Sequence, residues 1–131
     1  MTEMPMPTIT PLNRSFWEGL DSGELRYQRC RSCDNAWLPA REECPRCLSD
    51  EVAWEVSDGR GRIVSWVVYR QAVHPAFADR VPYNVAVVEL DEGPRLITNI
   101  NAAEDQLAIE LPVVVSIERE SDVSVARFTL A

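Results

Sequence analysis

The sequence contains no lysine. All 13 basic residues are arginine, set against 21 acidic residues, and the net charge is -8 at pH 7. Without lysine there is no Schiff-base nucleophile and no phosphate-loop lysine. An acidic chain also has the wrong sign for neutralising phosphates, which argues against a nucleic-acid partner. Histidine occurs once, at position 74, so a general acid or base of unperturbed near-neutral pKa is confined to that side chain. No apolar run approaches the length of a membrane span, so no membrane association is expected. The opening MTEMPMPTIT has neither a basic n-region nor an apolar h-region, which predicts a cytoplasmic protein. What is present is an ordinary apolar fraction, 46% of 131 residues, enough for one domain with or without a small appended module.

Cysteine is scarce but concentrated. The four residues form Cys30-Arg-Ser-Cys33 and Cys44-Pro-Arg-Cys47, ten residues apart. Each pair places two sulfurs on one side of a tight turn, and two such turns facing each other suit a tetrahedral metal. Zinc fits four thiolates at that geometry, and iron fits the same cage. Four protein ligands leave no open coordination position, so the metal is expected to be structural. Beside loosely packed free thiols, two other readings stay open. One is a pair of redox motifs, although no βαβ pattern surrounds them. The other is two disulfides, although a reducing compartment favours metal.

Along the chain, residues 1–24 read as an arm and a helix. Thr10-Pro11 has the form of an N-cap followed by proline at the first helical position. Leu12, Phe16 and Leu20 make one helical face bordered by Trp17, and Gly23 lies just past the helix. Residues 25–55 read as a metal ribbon, with a strand over 25–29, Trp37 over the knuckles and Trp54 at the exit. Residues 56–131 read as strands. Residues 61–70 are apolar on both faces, which predicts cover on both sides, with Ile63, Ser65, Val67 and Tyr69 pointing one way. A long connection over 71–82 holds His74, and Asp91-Glu92-Gly93-Pro94 is a turn between strands at 84–90 and 95–100. An acidic connection with room for a helical turn leads to a last hairpin over 112–118 and 123–129. Five strands after a ribbon suggest a small closed barrel of the OB type, with an open β-sandwich as the alternative. The expected class is mainly β: an N-terminal helix, a rubredoxin-like zinc ribbon, then a five-stranded OB-fold barrel.

Within that order, FWEGLDSGELRYQRCRSC, CPRC, DGRGRIVSW, HPAF, VPY and AVVELDEGPRLITN resemble the DUF35 family, from about Phe16 to Phe128. The sequence departs from the family pattern in three places. Asp34 follows the first cysteine pair where such ribbons commonly have glycine. Ile109-Glu110-Leu111-Pro112 stands in place of a glycine-containing turn, and the chain closes on ARFTLA. The resemblance implies structural zinc, no organic cofactor, and a non-catalytic accessory or scaffold subunit. Its partner would be a thiolase-superfamily enzyme, a thiolase or lipid-transfer-protein-like aldolase, in steroid or fatty acyl side-chain metabolism, with a MaoC-type hydratase as a possible second partner. The ligand so implied is an acyl-CoA, held or positioned for that partner.

The side chains agree with an accessory role. His74 before proline is a weak catalytic candidate, and no carboxylate pair has a recognisable catalytic spacing. Glu89, Asp91 and Glu92 read as a solvated hairpin end, and Tyr69 and Tyr83 as barrel packing. Candidate ligand or partner contacts are Phe16, Trp17, His74, Pro75, Phe77 and Tyr83, with an apolar groove expected between the helix and the barrel. For CoA phosphates the candidates are Arg41, Arg46, Arg60, Arg62, Arg70 and Arg80. The rival functions are a stand-alone acyl-CoA-binding protein or CoA-ester enzyme and a nucleic-acid-binding OB module.

Overall fold

A computed structural model describes residues 6–72 and 74–131, so the first five residues of the expected arm lie outside the described residues. The helix α1 spans Arg14–Asp21. It starts later than Thr10-Pro11 predicts, because Thr10 and Asn13 close a turn of their own. The Thr10 amide donates to Asn13 Oδ1 at 2.7 Å and the Asn13 amide to Thr10 Oγ1 at 3.3 Å. Short polar side chains compete in this way with helical backbone bonds. The other end stops as expected at Gly23, with φ +82. Gly23 N–H reaches Leu20 O at 3.1 Å and Glu24 N–H reaches Gly19 O at 2.7 Å, the paired bonds of a Schellman cap.

A three-stranded antiparallel sheet follows, made of β1 (Arg26–Cys30), β2 (Ala36–Trp37) and β3 (Val52–Val56), in the order β2-β1-β3. The remaining strands are β4 (Arg60–Tyr69), β5 (Tyr83–Leu90), β6 (Arg95–Thr98), β7 (Pro112–Glu120) and β8 (Val123–Leu130). They form one curled sheet in the order β6-β5-β4-β7-β8. The segment just past β6 meets β8 through a parallel bridge between Ile100 and Phe128. Phe128 N–H donates to Asn99 O at 3.2 Å and Asn101 N–H to Phe128 O at 2.8 Å. This seam gives the sheet its barrel form rather than that of an open sandwich. No helix among the described residues is long and apolar enough to cross a membrane.

Strand β4 departs from the alternation read in the sequence. A bulge lies between Ile63 and Ser65, so Ile63 pairs with Val88 and Ser65 with Val87. The extra residue, Val64, reverses the facing of everything after it. Ile63 is buried, but Ser65, Val67 and Tyr69 face outward and Trp66 packs against the core. The strand is therefore not covered on both sides: Val67 is 55% and Tyr69 39% exposed. Tyr69 and Tyr83 pair across β4 and β5 on this outer face rather than inside the barrel.

Ile63, Val88, Leu90, Val113 and Phe128 make the buried centre of the barrel, and Leu20 and Leu25 join the same cluster. The helix and the residue leading into β1 thus supply part of the barrel core. The hairpin end is also more tied down than a solvated turn. Glu92 accepts from Ser57 Oγ at 2.8 Å and from the Asp58 amide at 2.9 Å, binding the β5–β6 turn to the chain between ribbon and barrel. Asp34 and Glu110, which stand where glycine was expected, adopt φ of 68 and 69. The turn demands the left-handed region whether or not glycine is there to relieve it.

Candidate metal centre and its surroundings

The cysteine sulfurs converge between two knuckles. Cys30 ends β1, Cys33 follows it in a turn, and Cys44 and Cys47 occupy the second turn before β3. All four Sγ atoms lie within 4.8 Å of one another. Cys30 and Cys47 are 3.5 Å apart and Cys33 and Cys44 3.6 Å. A disulfide needs about 2.05 Å, so neither pair is bonded. A tetrahedron of sulfurs about 2.3 Å from a central zinc has edges of about 3.8 Å, close to these separations.

Backbone amides prepare the sulfurs for negative charge. Ser32 and Cys33 N–H groups point at Cys30 Sγ at 3.3 and 3.4 Å, and Arg46 and Cys47 N–H groups at Cys44 Sγ at 3.3 and 3.4 Å. Asn35 Nδ2 adds a contact to Cys44 at 3.8 Å. The Cys33 amide leads the forces that hold the Cys30 thiol below its ordinary pKa, against its burial. Burial pushes the Cys44 thiol up, but the Cys47 and Arg46 amides, with Cys33 and Asn35, bring it down to about 6. The Ser49 amide pulls Cys47 down, yet Cys30, burial and the other sulfurs push it up to about 12. The amides thus favour the thiolate at Cys30 and Cys44, and a bound cation would neutralise the charge gathered there. Four sulfurs in a closed cage fit a structural metal and leave no position for substrate. Trp37 covers the site with 6% exposure, as its place between the pairs suggested. Its Nε1–H donates to Gln28 Oε1 at 2.8 Å, and the same oxygen accepts from the Arg41 amide at 2.7 Å.

The other candidate contacts fall into two places. Phe16 and Trp17 pack edge to face at 5.2 Å in the wall of a cavity of about 650 Å³ between α1, the loop after β2 and the barrel seam. His74, Pro75, Phe77 and Tyr83 lie at the far end of the β4–β5 hairpin. There His74 Nδ1 accepts from the Ala76 amide at 3.0 Å and caps the 3₁₀ turn Pro75–Phe77. Rings step from His74 to Phe77 at 6.2 Å, to Tyr83 at 5.6 Å and to Tyr69 at 5.4 Å. Phe77 and Tyr83 line a second cleft of about 360 Å³.

Three of the arginine candidates are already neutralised. Arg62 is held by Glu89 and Glu110, Arg70 by Glu104 and Arg80 by Glu120. Arg41, Arg46 and Arg60 form no ion pair among the described residues. Sequence reasoning missed Leu38, Leu96, Ile97, Asn99 and Arg127 as cavity residues. They come from three separated segments, and no local pattern joins them.

Two family models match the chain. One, described as the rubredoxin-like zinc ribbon domain of ChsH2, covers residues 17–53, and the other, described as the C-terminal OB-fold domain of ChsH2, covers residues 54–118. A chain of a solved structure described as the Ltp2-ChsH2(DUF35) aldolase is 33% identical with a TM-score of 0.84, over 95% of this chain and 98% of that one. A probable enoyl-CoA hydratase alpha subunit of Thermomonospora curvata is 38% identical over 111 residues, which are 84% of this chain and 34% of that protein. A DUF35 domain-containing scaffold protein of Pyrococcus furiosus is 30% identical over 95 residues, 69% of each chain. The chain spans only 34 to 48% of the length of the first curated relatives it matches.

Proposed function

The chain belongs to the DUF35 family of paired zinc-ribbon and OB-fold proteins, and we propose that it is a non-catalytic accessory subunit of an acyl-CoA enzyme complex. The partner in this reading is a thiolase-superfamily enzyme of the thiolase or aldolase type, and the chain helps hold or position the acyl-CoA. The observation that carries the proposal is the near full-length likeness to the DUF35 chain of a solved aldolase. Residues 1–24 supply an arm and a roofing helix, residues 25–55 a ribbon made rigid by structural zinc, and residues 56–131 the barrel. The setting is cytoplasmic.

The side chains support this assignment. His74 is occupied as a cap, the four cysteines face one another in a cage, and the carboxylates of Glu89, Glu110 and Glu120 are tied to arginine. A hydratase of the MaoC type is a second partner in the same reading, favoured by the likeness to a hydratase alpha subunit. Co-expression with a thiolase-fold enzyme from the same genome tests the proposal. We expect the two chains to elute together with one zinc per copy of this chain. Separate elution of two stable proteins would refute it.

A further inference from the structure

The larger cavity has a chemical character of its own. Its wall is built from Phe16, Trp17, Leu20, Leu38, Leu96 and Ile97, joined by small and β-branched residues of β5 and β8. At about 650 Å³ it falls within the range of small-molecule sites, which are mostly apolar and largely preformed. Two arginines reach its edge, but neither offers free charge. Arg95 is bonded to Glu89 at 3.0 Å, and Arg127 to Glu118 at 3.0 Å and Glu120 at 3.1 Å. A phosphate or carboxylate entering here would meet apolar walls and cations already neutralised, and its desolvation would go uncompensated. An uncharged hydrocarbon would lose nothing and gain burial.

The cavity also has a direction. Asn99 and Arg127 line both it and the smaller cleft, which is rich in amide side chains. In that cleft Asn84 is saturated by Ile100, donating to its carbonyl and accepting from its amide, each within 2.8 Å. Asn99 donates to Asn84 O at 2.5 Å, and its own side-chain carbonyl accepts from none of the described residues. An apolar chamber that leads past an available amide oxygen into a polar cleft matches an amphiphile whose hydrocarbon tail is followed by a neutral linker with an amide N–H to donate, as the arm beyond an acyl thioester can supply.

We propose that the cavity between α1, the 38–40 loop and the β6–β8 seam binds the hydrocarbon tail of an acyl thioester, with the attachment leaving past Asn99 and Arg127. This rests on the accessory reading above and deepens it, because the chain then holds the tail and not the nucleotide of the ligand. Ile97, 75% exposed at the rim, becomes a contact for the entering chain.

The zinc-loaded full chain is titrated with N-phenyl-1-naphthylamine, an uncharged reporter that brightens in apolar pockets and takes energy from Trp17. Displacement is then measured with free CoA and with butanoyl-, octanoyl- and dodecanoyl-CoA below their micelle concentrations. We expect free CoA to displace nothing. The acyl esters should compete about three- to fourfold better per added methylene until the cavity is full. Ala40→Trp, which fills the chamber from the ribbon loop, and Ile97→Glu, an exposed site that puts a carboxylate on the rim, should each weaken dodecanoyl-CoA at least tenfold. Val67→Ser on the outer face should leave it unchanged. Competition independent of chain length, or insensitive to both variants, would overturn the assignment. So would reporter displacement by a partner enzyme but by no acyl ester, which would give the cavity to that protein's side chains. Each of these can occur while the complex with the enzyme still forms, so the tail site and the accessory reading fail separately.

Discussion

Gly61→Ala probes how tightly the barrel is locked where β4 leaves the ribbon. An ideal Cβ on Gly61 would lie 2.5 Å from the Glu89 carbonyl oxygen and 3.0 Å from Val88 Cγ1. The first contact is with backbone, which cannot rotate away as a side chain would. Relief needs β4 and β5 to separate by several tenths of an ångström, yet they are paired from Gly61–Leu90 to Tyr69–Tyr83. Ile63, Val88 and Leu90 on that ladder are at most 1% exposed, so the strands have no slack beneath them. Overpacking of a tight site costs about 1–3 kcal/mol, and a backbone clash belongs at the upper end. With an unfolding entropy of about 2.1 cal/mol/K per residue over 131 residues, 3 kcal/mol lowers Tm by about 11 °C. Gly23→Ala is the control. Its Cβ meets nothing within 4 Å, but φ is +82, so it loses only the left-handed penalty of about 1–2 kcal/mol, or about 4–7 °C. Thermal melts followed by far-UV circular dichroism measure both. If Gly61→Ala melts within about 2 °C of the parent, the strand contact is not the constraint described here.

Two further predictions concern the metal and the hairpin loop. Chelation, or Cys44→Ser, should release one metal per chain and expose Trp37 to water while the barrel strands persist. The ribbon core is little more than Cys30, Trp37 and Cys44, whereas the barrel has its own cluster; near-UV and far-UV dichroism with metal analysis would show the split. The Arg80 guanidinium, with help from Arg127, holds the Glu120 carboxyl below its ordinary pKa against burial. A depressed carboxylate contributes stability that is present above its unfolded value of about 4.3 and is lost as pH falls through the lower folded value. Glu120→Gln should therefore flatten the loss of stability on acidification below about pH 5, cost about 1 kcal/mol at pH 7, and speed amide exchange in the 74–82 loop.

The metal cage was legible because four cysteines in two short spacings leave few geometries open. Gly23 and the Asp91–Pro94 turn were legible for the same reason: each is a local rule satisfied by adjacent residues. The bulge at Val64 was not, because residues of both parities from Ile63 to Val68 are apolar and an inserted residue leaves no mark in such a run. Strand β3 was missed since its partner β1 lies more than twenty residues back and the short VAWEV stretch carries no turn signal of its own. The helix start was misplaced because Thr10 and Asn13 both have cap chemistry, and only the fold shows that they cap each other. Phe16 and Trp17 were noticed as aromatics on a helix border, but their cavity depends on β6 and β8, about eighty and one hundred and ten residues away. Side chains from such distant segments meet only once the seam at Ile100 and Phe128 has closed.

Turnover by the partner tests the accessory reading most directly. A thiolase-fold enzyme from the same genome is assayed on an acyl-CoA substrate with and without this chain, beside the chain alone. The chain alone should give no turnover, and adding it in equal proportion should raise the partner's kcat/KM at least tenfold. Full activity of the partner by itself, or turnover by this chain in isolation, would contradict the account.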